Sequence, residues 1–436
     1  MKRLLRAVPA GTIVVGGGLA VLGLASYVHL AVAGHALKGA PADYSSVSVL
    51  WALVFSVGIG LFLPVEQEVS RLVAARAVAG EGVAPVLRTA GVFAGGLLAL
   101  LVVVLGLAAG PLSRLLFEGD RLMVAVLWGA LAGLACEHTS RGILSGLGRF
   151  GWYGTQLAVD GGLRMAIAVG LGVAGVRSPL AYALILAVAP LASVVLTLPA
   201  VLRGLGTGAP VTLRALCRGL GLLLASNLLM QVIVNIGVIN VKILSPGDTA
   251  FAGSLLNALQ LARMPLFVFA ALQASLLPAL TRALAGGDIP GYRRVLVRAV
   301  GVVVLLGVAG GVFAIAVGPD LVPLLFGQPD VLGRGGFAWL TAGTLAYMVA
   351  SVIGPAVVAR GRHAAQTLGW LVGTVALVAV TLGPGDVRLR VELAFAIGSF
   401  VVIPVLAPFA WSRHAPVVPA TPEPAAAAAR AARAAD

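Results

Sequence analysis

Two pairs of oppositely charged residues lie inside long apolar segments of this 436-residue chain. Glu137 and Arg141 are four residues apart, as are Asp160 and Arg164, and Gln156 precedes Asp160 by four. Residues four apart share one face of a helix, so each set predicts a polar stripe. Charges inside a bilayer are costly unless they are paired or face a wet cavity. The stripes predict either a structural clamp between two helices or a coupling or substrate site, and the sequence leaves both open.

The two charged segments form a helical hairpin that turns near residues 150–151. Counting outward from this turn, Glu137 is level with Arg164, and Arg141 is level with Asp160. We therefore expect these charges to neutralise one another between the two helices. A proton or a sodium ion could exchange with one of the carboxylates, so H⁺ and Na⁺ are candidate coupling ions. No other cofactor is predicted.

A second polar stripe has a different chemistry, because it contains amides and a single cation. Its members repeat every three or four residues along two later segments: Asn227, Gln231 and Asn235, then Asn257, Gln260 and Arg263. Arg263 has no acidic partner in its own hairpin, and it is level with Gln231. A guanidinium among amides suits an anion such as a phosphate. The stripe is a hypothetical substrate-binding site, with hydrogen bonding between membrane helices as the alternative.

The composition shows which elements must position these residues. Hydrophobic residues make up 60% of the chain, charged residues only 11%, and the mean hydropathy is +1.04. Apolar runs of about 20 residues predict transmembrane helices. We expect an all-α polytopic membrane protein with about twelve spans, at residues 10–33, 44–65, 88–112, 121–147, 152–174, 179–202, 215–243, 250–275, 295–317, 335–357, 364–383 and 391–411.

An internal repeat divides these spans into two sets of six. Three landmarks of the first half recur in the second at offsets of 211, 208 and 213 residues: Ser70-Arg71 as Thr281-Arg282, Gly110-Pro111 as Gly318-Pro319, and Gly148-Arg149 as Gly361-Arg362. Near-constant offsets indicate two copies of one unit. An even number of helices per unit predicts two parallel lobes with a site between them. The predicted divisions are 1–206, 207–412 and a flexible Pro/Ala/Arg tail at 413–436, with a flexible glycine-rich link near 204–208.

Proline positions and charge placement complete the predicted topology. Pro265 and Pro278 should interrupt the eighth span, as in helices that line transport paths. With both termini in the cytoplasm, nineteen Lys and Arg residues fall on the inner side and eight on the outer side. This asymmetry follows the positive-inside rule and explains the net charge of +14 without a nucleic-acid partner. Glu66 and Glu68 beside Arg71 are predicted to form a solvated interfacial cluster, with a cytoplasmic gate as the alternative.

Motifs for catalysis or metal binding are not evident in the sequence. Cys136 and Cys217 support neither a disulfide framework nor a metal cluster, and the five histidines lack ligand spacing. Residues 146–151 match the dinucleotide pattern G-x-G-x-x-G, but they join two membrane segments, so we interpret them as a turn. The sequence therefore predicts no enzyme, no catalytic residue and no metal site.

Several of these features together resemble the multidrug/oligosaccharidyl-lipid/polysaccharide (MOP) exporter superfamily, and within it the Wzx-like polysaccharide flippases. The resemblance covers about residues 10–411. It is carried by the six-plus-six plan, by Phe62-Leu63-Pro64 through Ser70-Arg71, by Arg263-Met264-Pro265 followed by Leu277-Pro278-Ala279-Leu280, and by the paired Gly-Pro loops that lead into Leu-Leu-Phe. The resemblance implies a V-shaped transporter of the MATE type.

The resemblance also implies an activity, a location and partners. A Wzx-like protein would move an undecaprenyl-diphosphate-linked saccharide across the bacterial plasma membrane by alternating access. Arg263 would then be a candidate for the diphosphate, and the lipid bilayer and polysaccharide assembly proteins would be candidate partners. The main alternative is a cation-coupled MATE-type exporter of small amphipathic molecules. A major-facilitator transporter and a membrane glycosyltransferase or polymerase are less favoured alternatives.

Overall fold

Long helices dominate the computed structural model, which describes residues 12–412. The first and last residues, including the predicted tail at 413–436, lie outside the described residues. Within 12–412 there are fifteen α-helices and a π-helical turn at Val54–Ile59 between the second and third. The helices are α1 Thr12–Ala36, α2 Pro41–Leu53, α3 Gly60–Val78, α4 Ala84–Leu107, α5 Ala109–Leu116, α6 Arg121–Gly146, α7 Phe150–Val173, α8 Pro179–Leu202, α9 Leu213–Leu244, α10 Thr249–Ala262, α11 Met264–Ala285, α12 Ile289–Phe326, α13 Gly333–Ala359, α14 His363–Thr381 and α15 Val387–Ala410.

The predicted all-α membrane architecture is confirmed. Eleven helical stretches among the described residues are long and apolar enough to cross a membrane, and α2, the π turn and α3 together form one of them. The remaining predicted segment, the eighth, is divided at Arg263 into α10 and α11. Pro265 has no N–H to donate to the preceding turn, which explains a break at this point. Helix α11 then continues through residue 278, so only the first of the two prolines ends a helix.

The internal repeat is visible in the backbone of matching turns. Gly148 and Gly361 both have left-handed φ angles, +68° and +74°, directly after α6 and α13. In the first turn the Arg149 N–H donates to the Leu144 carbonyl at 2.8 Å, and in the second the Arg362 N–H donates to the Val357 carbonyl at 3.2 Å. Both are Schellman-type helix ends, for which glycine is the favoured residue. The G-x-G-x-x-G segment is therefore a helix-ending turn, as predicted.

Helix packing repeats between the two halves as well. In the first half, α1 packs along α7, and α6 packs along α8. In the second half, the corresponding segments pack in the same way, α9 along α14 and α13 along α15. The landmark pair Gly110-Pro111 and Gly318-Pro319 differs locally. A break after Leu107 separates α4 from α5, whereas α12 continues past Gly318.

The connection between the halves, residues 203–212, is bound to the first half rather than free. The Val83 N–H donates to the Leu205 carbonyl, and the Thr89 hydroxyl donates to the Val211 carbonyl at 2.8 Å. The Arg76 guanidinium donates to the Ala209 carbonyl at 2.6 Å. The link that we expected to be flexible is thus anchored to the α3–α4 loop and to the start of α4.

Candidate functional site

Arg263 lies at the break between α10 and α11, where it is the residue before the first turn of α11. Its guanidinium is 8% exposed and donates to the Asn235 amide oxygen at 3.2 Å and to the Val234 carbonyl oxygen. It also lies over the Phe395 ring, 5.7 Å from the centroid. The Nε–H of Arg263 is buried without a hydrogen-bond partner, and no described carboxylate forms an ion pair with this residue. Arg263 is thus a buried cation with unused hydrogen-bonding capacity.

Two of the predicted polar residues of α9, Gln231 and Asn235, form a connected chain that ends at Arg263. The Asn235 side-chain amide donates to the Gln231 side-chain oxygen at 3.3 Å, and its oxygen accepts from Arg263. Arg263 thus contacts Asn235, one turn beyond the Gln231 position that the hairpin count predicted, because the long arginine side chain reaches along α9. Asn227 lies two turns before Asn235 and is half-buried.

The predicted residues of α10 point to a different neighbour, the first half of the chain. The Tyr44 hydroxyl donates to the Asn257 amide oxygen at 2.6 Å, and Asn257 is fully buried. The Tyr27 hydroxyl donates to the backbone carbonyl of Gln260 at 2.9 Å. Five of the six predicted substrate-site residues are therefore divided between a network around Arg263 and a contact with the other half, and Asn227 is placed in neither.

Further contacts between the halves lie at the same end of the helices as Tyr44. The Gln328 side chain donates to the Gly34 carbonyl at 2.7 Å, and Lys242 forms an ion pair with Glu118. A side chain at Gly34 would collide with the Phe326 carbonyl oxygen, so the backbones touch there. The positive-inside assignment predicts that this end faces outward. The structure thus joins the two halves at their predicted external ends, and α3 also packs against α9 towards the opposite end, where Val65 and Val69 cluster with Leu220.

The charged pairs of the first half form within helices, which corrects the expectation of pairing between them. Arg164 binds Asp160 through two hydrogen bonds of 2.8 Å, and Arg141 binds Glu137. All four side chains are buried. Although α6 and α7 are consecutive, α6 packs mainly on α8 and α7 mainly on α1, so the i,i+4 partner on the same helix is the nearer one.

Additional contacts hold these charges within the first half. Glu137 also accepts from the Ser193 hydroxyl at 3.3 Å, and Gln156 donates to the Ser140 hydroxyl at 2.8 Å. Arg164 lies 6.0 Å from the centre of the Phe55 ring. These polar contacts connect α6 with α7 and α8, and Phe55 in the π turn brings the second span against α7.

The interfacial assignment of Glu66 is wrong, whereas that of Glu68 is partly right. Glu68 binds Arg71, whose side chain is 61% exposed, as an interfacial pair would. Glu66 instead points into the first half, where it contacts His138 and Tyr153. The sequence analysis missed His138 and Tyr153. Two features of the sequence could have indicated this cluster. His138 adjoins Glu137 in an apolar segment, and Glu66 lies on the opposite face of its helix from Glu68, which binds Arg71.

Curated relatives of the chain are mycobacterial proteins without an assigned function. The chain is 30% identical over 382 residues to the uncharacterized protein Rv1510 of Mycobacterium tuberculosis, and the match covers 84% of each chain. It is 27% identical over 415 residues to the uncharacterized protein Mb3654 of Mycobacterium bovis, with 92% of each covered. No protein-family model matches the chain.

Solved structures with a similar fold are membrane transporters. An inward-facing multidrug resistance MATE transporter of the MOP superfamily has a TM-score of 0.66, with 14% identity and coverage of 89% of this chain and 93% of that one. The outward-facing form has a TM-score of 0.63, with 91% and 93% covered. The lipid II flippase MurJ in an inward closed conformation has a TM-score of 0.57, with 12% identity and 89% and 86% covered. These likenesses establish a MATE-like transporter fold for the chain.

Proposed function

We propose a transport function for this chain, which belongs to the family of the uncharacterized Mycobacterium tuberculosis protein Rv1510 and has the fold of MATE-type MOP transporters. Specifically, it is a flippase for a lipid-linked oligosaccharide of the undecaprenyl-diphosphate type. It acts in cell-surface polysaccharide export, in a bacterial plasma membrane with both termini cytoplasmic. Its role is non-enzymatic, because moving a lipid between leaflets makes and breaks no covalent bond.

The observation that carries this proposal is the environment of Arg263. A guanidinium buried at a helix break, with no carboxylate partner among the described residues, retains a charge that a diphosphate can neutralise. Asn235 and Gln231 fix its orientation through their own hydrogen bond. Asn227 and Asn257 supply amides on the same two polar helices, and the buried Asn257 side-chain N–H₂ has no partner. Amides and a guanidinium together suit a head group that carries both sugar hydroxyls and phosphate.

Alternating access is the mechanism that this arrangement supports. At their predicted external ends the halves meet through Tyr44, Asn257, Gln328 and the Gly34 backbone, and elsewhere α3 packs against α9. Separating the external contacts would open the predicted external side, while the lipid tail stays in the bilayer. Asp160–Arg164 and Glu137–Arg141 hold the first half together during this motion or couple it to H⁺ or Na⁺. Polysaccharide assembly proteins are the expected protein partners.

A MATE-type exporter of small amphipathic molecules is the second candidate. The observation in its favour is the fold likeness itself, because the multidrug transporter has a TM-score of 0.66 and the lipid flippase one of 0.57. The flippase must hold a diphosphate, whereas an exporter of small amphipathic molecules need not. A test of phosphate recognition therefore distinguishes the two functions.

Binding of undecaprenyl diphosphate tests the proposal, measured by native mass spectrometry of the purified protein. We expect Arg263→Gln to weaken binding at least about tenfold, which corresponds to loss of one charge-assisted contact of roughly 1.4 kcal/mol or more. Arg282→Gln, a cation outside this network, should bind like the wild type. Equal binding by wild type and Arg263→Gln, or preferential binding of neutral undecaprenol, would contradict a diphosphate site at Arg263.

A further inference from the structure

Three titratable side chains from three different helices meet inside the first half, apart from Arg263 and from the arginine-paired acids. The His138 Nδ1 atom on α6 lies 2.7 Å from Glu66 Oε2 on α3. The Tyr153 hydroxyl on α7 donates to Glu66 Oε1 at 2.8 Å. Glu66 is 7% exposed and His138 is 5% exposed. We propose that Glu66, His138 and Tyr153 form a proton-binding site whose occupancy is coupled to the movement of the two halves; this inference rests on the proposed transport function.

The partner of Glu66 distinguishes this site from the neighbouring arginine-bound acids of α6 and α7. Asp160 and Glu137 are bound to arginines, which stay protonated at any physiological pH. A proton on either acid would leave a buried guanidinium without its counter-charge. Glu66 is bound instead to a histidine, the side chain that ordinarily changes charge between about pH 5 and pH 8. Glu66 thus has a partner whose charge is not permanent.

The proton balance of the site follows from the hydrogen bonds. Without the extra proton, neutral His138 donates its Nδ1–H to the Glu66 carboxylate, and the pair carries one negative charge. With it, the proton resides on the Nε2 atom, and the pair becomes a neutral imidazolium–carboxylate ion pair. The Tyr153 hydroxyl donates to the carboxylate in both states and therefore favours the charged form of Glu66. One proton is bound and released per cycle, and no other bond changes.

The charged groups around the pair are exposed or bound to other partners. Arg141 on α6 acts on Glu66 electrostatically, but its guanidinium is bound to Glu137. On α3 itself, Glu68 is bound to Arg71. Helices α4 and α9 also pack against α3, and their described basic residues are exposed or bound elsewhere: Arg88 and Arg214 are exposed, and Lys242 is paired with Glu118.

Helix α3 provides the mechanical link from this site to the other half of the chain. Glycines on α6 let α3 approach closely, since a Cβ at Gly142 would lie 2.8 Å from the Glu66 carbonyl oxygen. Six residues earlier on α3, about 9 Å along the helix, a Cβ at Gly60 would lie 3.1 Å from the Leu228 Cα atom on α9. The same helix therefore carries the carboxylate and packs against the second half. A change in the net charge of the Glu66–His138 pair alters how α3 is held by α6 and α7, and α3 transmits this change to α9.

Pulsed electron spin resonance distances test the proposal without any transport substrate. Labels are placed at exposed Val173 and Leu382, at the same end of the two halves, in a Cys136→Ser/Cys217→Ser background, and the protein is studied in lipid nanodiscs from pH 5 to pH 9. We expect two distance populations whose ratio changes with pH. Glu66→Gln and His138→Gln should each reduce that change at least about tenfold, and Glu68→Gln should leave it intact.

A conservative variant keeps the test decisive if a charge-removing variant does not fold. Tyr153→Phe preserves the ring but removes the hydrogen bond to the Glu66 carboxylate. The carboxylate then stabilises an added proton on His138 more strongly, so the midpoint of the pH-dependent distance change should rise. A wild-type protein without pH-dependent distances would overturn the proposal, as would an unshifted midpoint in Tyr153→Phe or an equal loss in Glu68→Gln. Because no lipid-linked saccharide is present, failure here is separate from failure of diphosphate binding at Arg263.

Discussion

The buried Asp160–Arg164 pair gives a quantitative prediction about where the charges of the first half are coupled. Both side chains are under 5% exposed and share two hydrogen bonds of 2.8 Å. Arg164→Gln alone leaves a buried carboxylate uncompensated, which should cost about 3–5 kcal/mol of unfolding free energy. Loss of the contact with Phe55 adds about 0.5–1 kcal/mol. Asp160→Asn alone should cost a similar amount, because it strands the guanidinium.

The double variant Asp160→Asn/Arg164→Gln should be much less harmful than the sum of the single variants. Two neutral polar side chains replace two charges, so we expect a coupling energy of about 2–3 kcal/mol or more. Unfolding in mixed micelles of detergent and sodium dodecyl sulfate, followed by circular dichroism, measures each free energy. The matched cycle is Glu137→Gln with Arg164→Gln, residues on two helices. A larger coupling in this cycle than in the Asp160 cycle would refute pairing within each helix.

Three further predictions concern the contacts between the halves and the topology. Gly34→Val should increase the spin-label distance between positions 173 and 382, because its side chain collides with the Phe326 carbonyl. The control Gly91→Val has open space and should leave the distance unchanged. Unchanged distances in Gly34→Val would contradict the contact between the halves at Gly34. Tyr44→Phe should lower the unfolding free energy by about 1–2 kcal/mol, measured as above, since Asn257 loses its donor, and an unchanged value would show that the bond is unimportant. Cys217 is predicted to face the cytoplasm, so a membrane-impermeant maleimide should label it in a Cys136→Ser variant only in opened cells. Labelling in intact cells would show that the predicted orientation is inverted.

The sequence predicts the helical architecture well because its signals are local and strong. Apolar runs of about 20 residues, proline at 265 and glycines at 148 and 361 each determine the backbone within a few residues of themselves. The repeat offsets connect these local signals into two similar halves. For the same reason the break at Arg263 could be predicted from the residues that surround it, although a second break at Pro278 could not be distinguished from a continuous helix.

Partner choice among buried polar groups could not be predicted with the same success. The hairpin count places Glu137 level with Arg164, but depth alone does not determine which helices touch. Consecutive α6 and α7 diverge onto different neighbours, and the acids take the arginine one turn away on their own helix. Glu66 shows the same limit, because a position near a helix end predicts solvent exposure, whereas tertiary packing places it against His138. The contacts of Tyr27 and Tyr44 with α10 span more than 200 residues of sequence and left no local signal.

Leaflet-to-leaflet movement of a lipid-linked saccharide is the most direct measurement of the proposed activity. Purified protein is reconstituted into liposomes that contain a fluorescent undecaprenyl-diphosphate saccharide, and a membrane-impermeant reagent reports the fraction in the outer leaflet. We predict rapid exchange with the wild type, exchange at the protein-free rate with Arg263→Gln, and normal exchange with Arg282→Gln. Wild-type liposomes that retain the protein-free rate, or an Arg263→Gln variant that exchanges the lipid as fast as the wild type, would contradict the account.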